Sequence, residues 1–310
     1  MTPLVAGRRF DRSLVERGLP WTGRVAAVFR HAAVLEPDAT HEPRITLLAE
    51  ERPLVPGGIA LPWAPLLPRP GETARLDGRT LRLGDGATGS QRTALLEGDG
   101  VSLRLTPPLQ PQQLEGPAVR WAPLPLPLRT RALLGLDPVH EDGVEATALR
   151  RAAAGLRALT DALCRDAQDP TTWDRLVRAL AGLGPGSTPT GDDLLVGLAA
   201  AAGVFAAAGR LSSTACDGFV SALRRLPADV TSPVGREMLA NAAEGSFPEP
   251  LLALVACWHQ PRLGPADICR AMAALADVGA HSGADMLAGA LAVVLHAPWP
   301  SSPPAAGSPA

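Results

Sequence analysis

The 310-residue chain contains no lysine and no tyrosine, so every basic side chain other than histidine is an arginine. The missing lysine excludes a P-loop lysine, a Schiff-base lysine and a pyridoxal-phosphate anchor. Recognition of phosphate or carboxylate must then fall to arginine, to backbone N–H groups or to helix ends. Cysteine is scarce as well. Cys164, Cys216, Cys257 and Cys269 form no C-x-x-C pair, which argues against a disulfide framework or a zinc site. They read as small buried apolar residues, and a nucleophilic Cys216 or Cys257 is disfavoured because nothing nearby lowers either thiol's pKa. A formal charge of -2 and an isoelectric point near 6.3 leave no electrostatic footprint for nucleic acid. No N-terminal basic-plus-apolar signal is visible, and the Ala/Leu-rich stretches are interrupted before they reach membrane-spanning length. The expectation is a cytoplasmic protein that meets neither nucleic acid nor membrane.

What the chain does have changes near residue 140. Before that point Pro and Gly recur every few residues and apolar runs are short. Gly23–Leu35, Arg44–Glu50, Arg79–Gly86 and Val101–Pro108 read as strands, bounded by turn signals such as Pro56-Gly-Gly58 and Gly84-Asp-Gly86. Pro107–Arg131 is too rich in proline for a helix and reads as an extended connector. After Gly143 apolar residues recur at three- and four-residue spacing. The predicted helices are Val144–Ala167, Thr172–Leu183, Asp192–Ala208, Cys216–Leu226, Val234–Ala243, Pro250–Trp258, Pro265–Ala276 and Ser282–Leu295. Asp192–Ala208 and Ala284–Leu295 are apolar nearly all round, the pattern of helices at the centre of a bundle. The fold class expected is α+β: a small N-terminal antiparallel β domain, barrel or sandwich, followed by a C-terminal all-α bundle. The domains expected are 1–140 with the proline-rich connector, 141–297 carrying a glycine-rich loop, and a disordered tail at 298–310.

That loop, GLGPGSTPTGDD at Gly182–Asp193, is the densest cluster of special residues in the chain. Gly184, Gly186 and Gly191 permit positive φ and close approach of a ligand to the backbone, while Pro185 and Pro189 restrict the loop. Thr190 is placed to cap the next helix, with Thr190-Gly-Asp-Asp193 fitting a capping box. Asp192 and Asp193 fall in the first turn, where the helix dipole favours negative charge by roughly 0.3–1 kcal/mol each. A capped helix after a tight turn explains the box, but it does not require Gly184-Pro185-Gly186 upstream. Two later segments share the design. Ala228–Gly245 offers Ser232 as an N-cap, Pro233 at the first helical position and Arg236 one turn in. Gly279–Leu291 offers His281 followed by Ser282-Gly-Ala-Asp285, another capping box. A Ser-His-Asp triad is disfavoured by adjacent His281 and Ser282 with diverging side chains and by the lack of a G-x-S-x-G elbow. If the three helix starts converge, they form a site for a small anionic or carbamoyl metabolite. His281, Asp193 and Arg236 are then the catalytic candidates. Gly184, Gly186, Thr188, Thr190, Gly191, Asp192, Ser232, Ser282 and Asp285 are the ligand-binding ones. A cofactor is not specified by the sequence; magnesium held by Asp192 and Asp193 is the metal such a pair would suit.

The stretch GLGPGSTPTGDDLLVGL resembles the signature loop of the AllH family, a subunit of oxamate carbamoyltransferase. LANAAEGSFPEPLLAL (Leu239–Leu254) and GAHSGADMLAGAL resemble that family's later blocks, and the resemblance covers mainly Val144–His296. It implies a role in ureide or purine-nitrogen catabolism within a hetero-complex of carbamoyltransferase subunits. The associated reaction moves a carbamoyl group between oxalurate and phosphate, giving oxamate and carbamoyl phosphate. The S-T-R-T phosphate loop of the best-known carbamoyltransferases is missing. A non-catalytic metabolite-binding or assembly subunit and a Mg-dependent phosphotransferase are the rival readings.

Overall fold

The computed structural model describes residues 4–7, 9–18, 20–84, 91–105, 126–139, 143–258 and 265–297. The expectations for 106–125 of the connector and for the 298–310 tail lie outside these residues. Contacts divide the chain into two compact units, one of residues 1–104 with Ser246–Glu249, the other of Leu105–Gly245 with residues 250–310.

The first unit is a nine-stranded sheet in the order β1-β9-β8-β7-β3-β4-β5-β6-β2. Its strands are β1 (Leu4–Gly7), β2 (Arg9–Phe10), β3 (Trp21–Val28), β4 (Ala32–Pro37), β5 (Ile45–Ala49), β6 (Gly58–Leu61), β7 (Thr73–Asp77), β8 (Thr80–Leu83) and β9 (Arg92–Leu96). Most pairs are antiparallel; β1–β9 and β5–β6 are parallel. β1 and β2 are almost consecutive in sequence, yet one pairs with β9 and the other with β6 at opposite ends of the strand order. These two strands, neighbours in sequence, thus sit at the two edges of the strand order, and the sheet nearly closes into a barrel. Strict alternation along β3 sends Trp21, Gly23 and Val25 inward and Thr22, Arg24 and Ala26 outward. Trp21 and Val25 meet Phe10, Leu35, Ile45, Leu47, Ile59, Leu76 and Leu81 in one apolar core. The stretch read as one strand, Gly23–Leu35, is two. The β3–β4 register shifts between Val25 and Ala27, and Phe29 N–H bonds to Ala32 O (2.7 Å) to turn the chain. Of Val101–Pro108, only isolated bridges at Val101 and Arg104 are seen among the described residues.

The second unit is helical: α3 (Leu128–Leu133), α4 (Val144–Cys164), α5 (Pro170–Leu180), α6 (Thr190–Ala207), α7 (Ser213–Arg224), α8 (Pro233–Ala243), α9 (Glu249–Cys257, whose first residue belongs to the sheet unit), α10 (Pro265–Ala276) and α11 (Ser282–His296). Two short helices, α1 (Ser13–Glu16) and α2 (Trp63–Leu66), lie in the sheet unit. The helix α3 corrects the expectation of an extended connector up to Arg131. Pro127 occupies the N-cap, where its missing N–H costs no helical bond.

α6 and α11 form the centre, as their all-round apolarity implies. Leu194, Leu195, Leu198, Leu287 and Ala288 are fully buried, and burying each leucine stabilises by about 2 kcal/mol. Two glycines set the spacing. A Cβ on Gly197 would collide with the Met286 carbonyl, and one on Gly289 with the Leu194 carbonyl. Contacts rise together along both helices, from Thr188–Ser282 through Leu194–Gly289 to Gly197–Ala290. The two helices therefore run in the same direction, and their N-termini share one end. Among the described residues α6 is long and apolar enough to cross a membrane, contrary to the reading that such stretches stop short of that length; 83% of it is buried inside the protein.

Candidate functional site

The shared end of α6 and α11 collects the buried aspartates described in the helical unit. The loop before α6 is shaped by Gly184 (φ +114°) and Gly186 (φ +99°), a backbone region that side-chain-bearing residues rarely adopt. Gly191 serves otherwise. Its φ is not positive, and a Cβ there would strike the Leu180 carbonyl, so it lets α5 and α6 approach rather than admitting a ligand.

The two predicted capping boxes do not form. Pro189 is the N-cap of α6 and His281 that of α11, and neither cap makes a side-chain bond. Thr190 and Ser282, each one residue inside its helix, spend their hydroxyls on tertiary contacts instead. Ser232 does cap α8, accepting from Gly235 N–H (2.8 Å), with Pro233 following. Its own hydroxyl donates to the Ser187 carbonyl, tying α8 to the glycine-rich loop.

Three buried aspartates sit at this end, each in a different state. Asp192 has both oxygens satisfied, by Gly182 N–H at 2.8 Å and by the Thr231 hydroxyl. Burial pushes its carboxyl up, against those two bonds. Asp285 receives a bidentate contact from Arg129, Nε to Oδ1 at 2.6 Å and Nη2 to Oδ2 at 3.1 Å; Nη2 also donates to Thr190 Oγ1 at 2.8 Å. Burial pushes the Asp285 carboxyl up, opposed by Arg129, Thr190 and His281. Burial also lowers the Arg129 guanidinium, but Asp285 and Glu145 outweigh that and hold it above its ordinary value. These tendencies pull in opposite directions. The fork-to-fork geometry is that of a charged pair, and we read it as one.

Asp193 is the exception. It is 1% exposed, and neither carboxyl oxygen has a hydrogen-bond partner. Burial, then the Asp285 and Asp192 charges, push its carboxyl well above the usual range; the nearby Ser282 and Thr188 hydroxyls favour its charged form without making a formed bond. Those hydroxyls bond to each other at 2.8 Å, and both residues are half-buried. The parallel N-termini of α6 and α11 add positive potential here, the polarity that suits carboxylates or an incoming anion.

The structure thus brings Gly184, Thr188, Thr190, Asp193, Ser282 and Asp285 to one place, with Asp192 and Ser232 on its α8 side. Arg236 does not face it: it is exposed and donates to the Ala228 carbonyl (3.3 Å). His281 is exposed and close enough to act on the Asp285 charge. Gly186 is exposed with open space around it. A cleft of about 840 Å³ lies beside the loop, lined by Leu183, Gly184 and Pro185 together with Glu145 and Arg151 of α4. The residue missed from sequence is Arg129. Its only local signal is a Pro127-Leu-Arg-Thr helix start, and its partners lie 61 and 156 positions away.

The donor set does not fit magnesium at Asp192 and Asp193. Among the described residues no three His, Cys, Asp or Glu side chains gather to hold a metal, and each Asp192 oxygen already accepts a hydrogen bond. Three of the thiols are not activated: burial pushes Cys216 up to about 12 and raises Cys164 and Cys257.

Residues 180–294 match the family model described as oxamate carbamoyltransferase subunit AllH. The match supports the AllH resemblance. It spans the glycine-rich loop, α6, α8 and α11, so every polar residue of the cluster except Arg129 and Glu145 lies inside the AllH-like segment. No curated protein and no solved structure matches the chain.

Proposed function

We propose that this chain is a subunit of an oxamate-carbamoyltransferase-like complex whose glycine-rich loop seats a small carbamoyl or carboxylate metabolite. The observation that carries the reading is the unpartnered, buried Asp193 behind the Thr188–Ser282 pair, within the segment that matches AllH. A fully buried carboxyl without a partner costs stability, and service to a ligand or a reaction is a reason for a protein to keep one. In the reaction we assign to the complex, a phosphate oxygen forms a bond to the carbamoyl carbon of oxalurate. The carbon–nitrogen bond to the oxamate portion breaks, and that nitrogen takes up a proton. Helix N-termini suit the anionic reactants, and hydroxyls suit the carbamoyl group. Gly184, Gly186, Thr188 and Ser282 form the seat, Thr190 and Asp285 are held by Arg129 behind it, and Asp192 and Ser232 brace α8. His281, exposed at the start of α11, is the candidate to meet the anionic end of the ligand, while Arg236 is turned to the Ala228 carbonyl. Partner subunits complete the site, and the place of the reaction in ureide or purine-nitrogen breakdown in the cytoplasm follows from the same reading.

A second reading, a metabolite-binding or assembly subunit without catalysis, is favoured by the saturation of Asp192, Asp285 and Arg129 within the chain. Phosphate-dependent cleavage of oxalurate separates the two when measured on this chain alone and mixed with candidate partner subunits. Cleavage that needs this chain and falls at least about tenfold in Thr188→Val supports the first reading. Cleavage by the partners without it overturns that reading.

A further inference from the structure

Resting on the ligand seat described above, we infer that Asp193, Ser282 and Thr188 form a proton relay, with Asp193 holding a proton that the hydroxyl pair passes to a ligand at the half-buried face of the loop. Three observations carry this. Both Asp193 oxygens are sealed from solvent and unbonded, so the group is not consumed by a structural role. The Ser282 and Thr188 hydroxyls both act on Asp193, and they bond to each other at 2.8 Å, so that either can donate to the other. The two neighbouring carboxylates are engaged elsewhere: each Asp192 oxygen accepts a structural hydrogen bond, and Asp285 is held by Arg129.

The charged groups around Asp193 set the direction of transfer. Asp192 on its own helix and Asp285 on α11 disfavour a third negative charge, and Arg129 and His281 act on Asp285 rather than on Asp193. A proton at rest on Asp193 avoids that crowding. In the step itself Asp193 gives its proton to one hydroxyl, that hydroxyl gives its own to the second, and the second gives its own to the ligand atom that gains electrons as its bond breaks. Each hydroxyl gains one proton and loses one, and the carboxylate left behind can accept from the hydroxyls beside it. The reverse sequence reloads it. Asp193 is in this sense a positioning residue for a proton and acts through Ser282 and Thr188.

Infrared spectroscopy of the full chain at neutral pH tests the relay without any ligand. The expected result is a protonated-carboxyl carbonyl band that Asp193→Asn removes and that Thr188→Val and Ser282→Ala displace. Identical spectra for wild type and Asp193→Asn overturn the inference, as does a band that neither hydroxyl variant moves. Should Asp193→Asn fail to fold, aspartate labelled with ¹³C at the carboxyl carries the same test in wild type and the hydroxyl variants. A neutral carboxyl signal that shifts in the hydroxyl variants is expected, and its absence overturns the relay. In the reconstituted complex, Asp193→Asn is expected to lower kcat roughly 100-fold with KM unchanged and to flatten the alkaline limb of the pH profile. An unchanged kcat overturns proton delivery. A complex with no turnover at all counts against the carbamoyltransferase reading alone, because the spectra decide the relay independently.

Discussion

In the sheet unit, Asp11 is the buried carboxylate among the described residues, and each oxygen is closed by a backbone amide: Ser13 N–H at 3.0 Å and Gly57 N–H at 2.8 Å. In the helical unit three buried carboxylates crowd the common end of α6 and α11, and one of them, Asp193, is closed by nothing. The two units bury charge for different ends. Asp11 replaces a missing turn connection and pins β2 to the loop before β6, a purely structural use. The helical cluster spends stability on a crowded, partly unsatisfied arrangement, which is how functional sites are recognised when no ligand is in view.

The contrast can be broken most forcefully at Arg129. Arg129→Ala strands Asp285 as an unpaired buried carboxylate and is expected to cost about 3 kcal/mol, read by urea unfolding. Arg129→Lys should recover only part of that, because a lysine cannot make the bidentate contact. A loss below about 1 kcal/mol would mean that Asp285 is neutral, and that the cluster tolerates loss of its cation. Gly289→Ala comes next. The added methyl group has no room against the Leu194 carbonyl, and a loss of about 2 kcal/mol is expected, again by urea unfolding. A neutral result would show that α6 and α11 can part without penalty, and with them the shared N-terminal end. In the sheet unit Asp11→Ala is expected to cost about 2 kcal/mol, because it leaves two amides without their charged acceptor. It should leave ligand binding by the helical unit untouched, which calorimetry checks.

The smallest effect sharpens the comparison within the helical unit. Asp169 caps α5, accepting from Thr171 and Thr172 hydroxyls and amides, and the Thr171 and Thr172 bonds hold its carboxyl down at about 2. Its folded value lies below its unfolded one, so its contribution is present above the ordinary aspartate range and fades as pH falls toward 2. Asp193 has the opposite sign. Its folded value is raised, so its contribution is present in acid and is lost as pH rises. Thermal melts across pH should therefore show Asp169→Ala reducing Tm slightly at neutral pH and not in strong acid. Asp193→Asn should remove a decline that wild type shows as pH rises above the ordinary aspartate range. Parallel curves for the two variants would contradict the assignment of Asp193 as a raised carboxyl.

Much of the helical unit was legible in the sequence because its signal is local. Every helix from α4 to α11 overlaps its predicted range, Pro265–Ala276 to the residue, since apolar periodicity and proline or glycine punctuation act within one turn. The sheet was less legible. GIAL, TARLD and RTALL are too short to stand out, and the two-residue strand β2 exists only because β6 is there to pair with it. At the site, the residue types and their neighbourhood were readable, but their bonds were not. Thr190 and Ser282 look like N-caps in sequence, yet Pro189 and His281 take those positions and release the hydroxyls for contacts between helices. Arg129 was hidden for the converse reason: its partners come from α6 and α11, far along the chain, and nothing beside it in sequence marks the pairing.

The most direct measurement is titration calorimetry of wild type and Thr188→Val with oxamate, oxalurate and carbamoyl phosphate, alongside their melting temperatures. If the joint end of α6 and α11 is a ligand seat, wild type binds at least one of the three, and Thr188→Val weakens it about tenfold or more at unchanged Tm. Binding that is equally tight in the variant, or a variant whose only change is a lower Tm, would contradict that and return Thr188, Ser282 and Asp193 to packing.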